Sequence, residues 1–300
     1  MNKLFLWACM FFISTQVFAA DRPLRIVTTT TYFAELMKEI GGDRVSVHTV
    51  ASPKFNVHFV QPKPSDVART AKADVFVFAG LDLEAWADPL LEASGRHDLF
   101  RGQPGNLDLS RGIQLQKTPQ ILTRAEGDLH AFGNPHYTLN PENAKVMARS
   151  VSQKLQEIDP SHANEYAQNE SSFLTRLGGK IAEWKALCAH CAGKEVFAYH
   201  DDVVYLTDFL GIKEGQYLEP KPGVSPSPKH LAFLENYAKE KQVRAILFES
   251  YFSKKMVNRF AEKIGAQPVM IIQSPGQVKG AEDIFSFYDY NIRAIAAALE

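Results

Sequence analysis

Hydrophobic and polar positions along the chain switch repeatedly between two periods. Leu24–Thr29 (LRIVTT) is a short apolar run of the kind a buried strand needs, and Thr31–Gly41 then carries its apolar residues at helical spacing up to a glycine stop. Val45–Val50 predicts a second strand, Pro62–Ala71 a helix, Asp74–Ala79 (DVFVFA) a third strand, Leu83–Ala93 a helix and Ile113–Gln116 a short strand. Strands that alternate with helices imply a parallel sheet with helices on its faces. Gln116–Pro135 is polar, with scattered Gly and Pro, and reads as a loop.

Two longer helical patterns follow. Pro141 suits a first helical turn, Asn140 is its expected cap, and the pattern runs to Glu157 before Asp159-Pro160. Ser161 is read as the cap of the second, which reaches Leu187 and spans about 40 Å at 1.5 Å per residue, long enough to bridge two lobes. The alternation then restarts: strand Glu195–Tyr199, helix Val203–Leu210, Pro-rich loop Pro220–Pro228, helix Lys229–Lys239, strand Ala245–Phe248, helix Lys255–Ile264, strand Pro268–Ile272 and helix Ile284–Leu299. The expected fold is α/β: two lobes with parallel sheets flanked by helices, joined by one long bridging helix. The boundaries read as 1–19, 20–160 for the first lobe, 161–190 for the bridge and 191–300 for the second lobe.

Residues 1–19 stand apart from this pattern. Lys3 gives a positive start, Leu4–Phe18 is mostly apolar, and Val17-Phe18-Ala19 offers the small residues that a signal peptidase requires. The expectation is a cleaved signal peptide and a periplasmic location, and no later stretch has the length and apolarity of a membrane span. At 45% hydrophobic residues the remainder can bury a core, and a net charge of −1 gives no basic excess to recommend nucleic acid as a partner. The chain is read as a monomer. Cys188 and Cys191, in Cys-Ala-His-Cys, suggest a disulfide in an oxidising compartment; a redox pair and a metal site with His190 are weaker readings.

Among nine histidines, His58, His136 and His200 share a setting at or just past the end of a strand or loop, beside Pro or Asp. Ligands of open α/β sheets collect outside the carboxyl ends of the strands. Three imidazoles converging from three segments would make a nitrogen site for zinc or another late first-row ion. Taken singly, each is an ordinary surface or core histidine.

The surrounding motifs change that balance. Val57-His58-Phe59-Val60-Gln61-Pro62-Lys63-Pro64-Ser65-Asp66, Asn134-Pro135-His136-Tyr137-Thr138-Leu139-Asn140-Pro141 and Tyr199-His200-Asp201-Asp202-Val203-Val204-Tyr205 resemble, in order, the three histidine motifs of the periplasmic zinc- and manganese-binding proteins of ABC transporters, the ZnuA/TroA-like solute-binding family. The Glu219–Lys229 stretch and Leu247-Phe248-Glu249-Ser250 fall in the family's order too, so the resemblance covers nearly the whole chain after the signal segment. It implies a metal ion held between two lobes, with His58 and His136 from the first and His200 from the second, and delivery of that ion to a membrane permease.

The departures from the family pattern bear on the fourth ligand. Many members place a carboxylate after the last strand, where this chain reads Gln273-Ser274-Pro275-Gly276. The fourth position is left to the Gln273 amide oxygen, Glu249 or water. Asn134 and Asn140 stand where the second motif usually has acids, which weakens any support of a histidine through its second nitrogen. Three histidines with one uncertain oxygen favour Zn2+, with Mn2+ as the alternative because manganese prefers more oxygen donors.

Smaller signals are ambiguous. The loop between the first two motifs carries Asp128 and His130, the latter a capture ligand or a solvated histidine. Phe55, Phe59, Trp86 and Tyr137 read as packing that limits water access to the cleft. Two other function classes compete. A zinc hydrolase could hold its metal the same way with Glu249 as a base, although the chain has no His-Glu-x-x-His helix. A binder of another small ligand or of a chelated metal is kept open by the missing acids.

Overall fold

A computed structural model describes residues 22–118 and 130–300; the proposed signal segment and Asp128 lie outside the described residues. The first sheet contains β1 (Leu24–Thr28), β2 (Val45–Thr49), β3 (Val75–Phe78) and β4 (Asn106–Asp108), all parallel and ordered β2-β1-β3-β4. The connecting helices are α1 (Thr31–Gly41), α2 (Pro64–Thr70) and α3 (Ala87–Ser94). Helix α1 forms because Tyr32, Phe33, Leu36, Met37 and Ile40 put one apolar stripe onto the sheet, where all five are buried.

After α4 (Pro141–Ile158) and α5 (Ala163–Leu187) the same arrangement recurs. Strands β5 (Glu195–Ala198), β6 (Lys213–Tyr217), β7 (Ala245–Glu249) and β8 (Gln267–Ile271) form a parallel sheet ordered β6-β5-β7-β8, accompanied by α6 (Val204–Phe209), α7 (Pro228–Lys241), α8 (Lys254–Ile264) and α9 (Ile284–Ala298). In each sheet the strand order reverses at the first strand, so each has a switch point at its carboxyl edge, where open α/β folds bind ligands.

The long helix α5 has 25 residues, about 38 Å. It buries Tyr166, Phe173, Leu177, Ile181 and Trp184 along one stripe, and Trp184 Nε1 donates to Asp289 Oδ1 of α9 at 2.7 Å. Helix α9 also reaches the first half: Tyr288 and Tyr32 share a hydroxyl hydrogen bond of 2.7 Å, and Tyr288 Oη donates to the Thr138 carbonyl. A single apolar cluster therefore contains residues of both sheets, α5 and α9.

Several expectations need correction. Ile113–Gln116 is not a strand; the edge position belongs to Asn106–Asp108, too short and polar for an apolar pattern. Strand β6 (KEGQY) leaves no apolar pattern for the same reason, as a polar edge strand. Helix α3 begins at Ala87 rather than Leu83, because Gly80, Leu81 and Asp82 all take left-handed backbone angles, with φ of 73°, 55° and 62°. Ser161 does not cap α5: its hydroxyl bonds Asp159 Oδ1 at 2.6 Å within a 3-10 turn over Pro160–His162. The expected disulfide is not formed. Cys188 and Cys191 are buried free thiols, Cys191 donating to the Cys188 sulfur at 3.0 Å, and burial pushes both thiols away from the reactive thiolate. His190 Nε2 instead contacts the Ala296 carbonyl at 3.0 Å.

Candidate metal centre between the two sheets

Each histidine of the motifs arrives by a different local device. His58 sits in a 3-10 turn, Val57–Phe59, beyond β2, and its backbone N–H is held by the Asn56 side chain at 3.0 Å. His136 precedes the 3-10 turn Tyr137–Leu139. Asn134 Oδ1 accepts its backbone N–H at 3.0 Å, while Asn134 Nδ2 donates to the Asp201 carbonyl at 2.8 Å across to the second half. Asn134 thus fixes the His136 backbone rather than its ring. Asn140 caps α4 through the Glu142 N–H. His200 follows β5, and its Nδ1 pairs with Glu219 Oε2 at 2.8 Å.

The three rings meet. Their potential ligand atoms lie within 4.8 Å of one another, and ring centroids are 5.4 Å (His58–His136), 6.4 Å (His58–His200) and 6.1 Å (His136–His200) apart. Nε2 of His58 and of His136 are buried without a hydrogen-bond partner. Buried polar atoms are nearly always paired, so two orphans aimed into one cluster signal a missing partner. Burial and the neighbouring histidines push the His58 imidazole down to about 3 and hold His136 well below the ordinary histidine value. Both rings are neutral at pH 7, the form that ligates metal. Burial also works against charging His200, but the Glu219 carboxylate, with Glu249 and Asp201, outweighs it and raises its proton affinity.

Glu249 lies within electrostatic reach of His200 and Gln273 beside His136, both outside the converging set. Glu249 closes β7, is fully buried, and neither of its oxygens has a hydrogen-bond partner. Asp202, also fully buried, is pushed well up by burial and by the Glu249 charge, and Glu249 is raised by burial as well. Gln273 spends its amide N–H on Asp202 Oδ2 at 2.9 Å, so an amide suits a position beside two buried acids better than a third carboxylate would.

Glu219 and Asp202 were not singled out as site residues in the sequence. The signals available were the doubled acid after His200 and the glutamate opening the Pro-rich stretch. His130 is brought to the site, its ring stacked on His58 with centroids 5.0 Å apart. An open cavity of about 340 Å³ leads to the histidines, lined by Phe59, Phe252, Glu219 and Asp82 among others. Phe55 and Phe59 do not seal it, being 71% and 72% exposed, whereas Trp86 and Tyr137 are buried as expected, bonded to the carbonyls of Val57 and Ala79.

Comparison with known proteins identifies the family. The family described as zinc-uptake complex component A periplasmic (ZnuA) matches residues 26–298. The high-affinity zinc uptake system protein ZnuA of Bacillus subtilis (strain 168) is 26% identical over 261 residues, covering 87% of this chain and 81% of the relative. The iron-binding protein YfeA of Yersinia pestis is 25% identical over 282 residues, covering 89% and 85%. A crystal structure of ZnuA shares the fold with a TM-score of 0.77 at 22% identity, over 93% of this chain and 100% of that one. With nearly all of the described chain matched, the protein belongs to the ZnuA family of metal-binding components of ABC transporters.

Proposed function

We propose that the protein is a periplasmic solute-binding component that captures one Zn2+ between its two lobes and hands it to an ABC-transporter permease. The observation that carries this reading is the convergence of His58, His136 and His200 with two buried, unpartnered Nε2 atoms. His58 and His136 act as neutral donors. His200 is oriented and made more basic by Glu219, the outer carboxylate that a metal-bound histidine commonly has. Glu249 and the Gln273 oxygen are the second half's reserve of oxygen donors, and Mn2+ is the alternative cargo if both engage. The chain is exported by cleavage after residue 19 and works as a monomer, with the first lobe at 20–160, the bridging helix at 161–190 and the second lobe at 191–300.

Elemental analysis of protein purified without added metal, followed by calorimetric titration of the stripped chain, tests this. The expected result is one zinc per chain and an affinity lost in His200→Ala. Equal binding by the variant and the wild type overturns the site.

A further inference from the structure

Beside the histidines the two halves are stitched together by polar groups of Gln116, Lys117 and Asn134, which precede the long helices in the chain but bond residues of the second half. The Gln116 N–H donates to Tyr205 Oη at 3.0 Å, Tyr205 Oη donates to the Asn134 carbonyl at 2.9 Å, and the Asn134 N–H returns to the Gln116 carbonyl at 2.9 Å. Lys117 Nζ donates to Asp201 Oδ1 and to Glu214 Oε1, both at 2.6 Å, and to Tyr217 Oη. We propose that the Lys117–Asp201 contact is a clasp across the seam that positions His200 against His136 and sets how fast the bound ion leaves. The inference rests on the function proposed above and concerns residues that do not themselves ligate.

Asp201 is the node. It follows His200 directly in the chain. Its carboxylate takes Lys117, and its carbonyl accepts from Asn134 Nδ2 at 2.8 Å. Asn134 Oδ1 in turn holds the His136 backbone N–H at 3.0 Å. The path Lys117–Asp201–Asn134–His136 therefore ties the second half's donor to one of the first half's. A binding constellation works only when its members are held to within about 0.5 Å. The ion leaves when donors of the two halves part, and a bond across the seam must break for that to happen. Entry through the cavity on the Phe59 and Phe252 side leaves the same bond intact.

A single ion pair on a protein surface contributes little. This one differs in its surroundings. Two carboxylates and a phenol gather round one ammonium, whose Nζ also lies 4.7 Å from the Tyr217 ring centroid. The Glu214 side chain is only 8% exposed and is fixed from its other oxygen by Thr207 Oγ1 at 3.0 Å. Charge-assisted bonds of this kind are roughly twice as strong as neutral ones. Lys117 itself holds a left-handed backbone, at φ of 50°, and such strain persists where the surroundings use it to aim a particular group.

Stopped-flow kinetics of the full chain test the proposal: zinc release into excess chromogenic chelator, and zinc association measured separately. Lys117→Met keeps the stem over Tyr217 and removes the three bonds. It should release zinc about tenfold faster, with the association rate nearly unchanged. A merely structural defect would not spare association in this way. Asp201→Asn should also speed release, and the double variant should be no faster than the faster single one, because both changes break one contact. The cycle also cancels the direct effect of Asp201 on His200, which lies within its electrostatic reach. Lys239→Met, in an ion pair with Glu235 on α7, is the unchanged control. An unaltered release rate in Lys117→Met, or single effects that multiply in the double variant, overturns the clasp while leaving the three-histidine site standing. If His200→Ala holds zinc like the wild type, the three-histidine reading fails and the clasp with it. Circular dichroism checks folding, and if Lys117→Met is unfolded, Lys117→Gln is read by the same criteria.

Discussion

The two sheets have the same strand order and the same parallel sense, yet their carboxyl edges differ in charge. The first presents His58 and His136 with orphaned, neutral nitrogens. A buried acid of this half, Glu84, accepts from Thr29 Oγ1 and the Ala79 N–H, at 2.6 and 2.7 Å. The second presents a single histidine of raised proton affinity backed by Glu219, Asp202 and Glu249. On the proposed reading, neutral nitrogen donors come from one side, and a histidine backed by the Glu219 carboxylate and two buried acids of raised proton affinity comes from the other. The difference teaches that topology sets where a site lies, while the buried charges set which half does what.

The largest test of this asymmetry removes the second half's donor. His200→Ala should weaken zinc binding on the order of a thousandfold in calorimetry, one ligand's share of the ~10–16 kcal/mol typical of a structural zinc site. A drop no larger than that of a surface histidine would erase the distinction between the halves.

Next comes the buried Glu84 of the first half. Burial pushes Glu84 up to about 7, from the ordinary 4.5, against the pull of Thr29 and Ala79. The folded chain therefore holds this proton where the unfolded chain releases it, and stability falls as pH rises from 4.5 through about 7, by up to ~3 kcal/mol. Glu84→Gln keeps an acceptor for both donors and removes the charge. It should melt above the wild type at pH 8 and with it at pH 5, and superposed melting curves at pH 8 would contradict the account.

Glu219→Gln sharpens the comparison on the other side. It should cost about tenfold in zinc affinity, the usual consequence of losing an outer carboxylate. It should also lower the His200 proton affinity, so that fewer protons are released on zinc binding at pH 6.5, as read by titration in buffers of different ionisation enthalpy. The smallest effect concerns Gln273. Gln273→Asp removes the N–H given to Asp202 and adds a charge beside two buried carboxyls, so the metal-free protein should lose about 1 kcal/mol by thermal melting, with zinc restoring part of it.

Much of this was legible in the residues. Runs such as DVFVFA and the apolar stripe of Thr31–Gly41 announce buried strands and packed helices because burial on a sheet demands those periods. Strands β4 and β6 were not legible, since an edge strand can be polar on both faces and leaves no periodic trace. His58, His136 and His200 were marked by their strand-end settings and motifs. Glu219 and Asp202 were not, because a carboxylate's partner is fixed by which loop folds against which.

The sequence by itself determined the alternating α/β plan, the long central helix and the three segments that carry the histidines, all of which depend on local periodicity and strand-end chemistry. Only the tertiary structure decided that Nε2 of His58 and His136 are left unpartnered, that Gln273 serves Asp202, that Cys188 and Cys191 stay thiols, and that His130 lies on His58. These outcomes depend on contacts between segments far apart in the chain, and distance in space is set by how two sheets and one helix pack, not by the residues on either side.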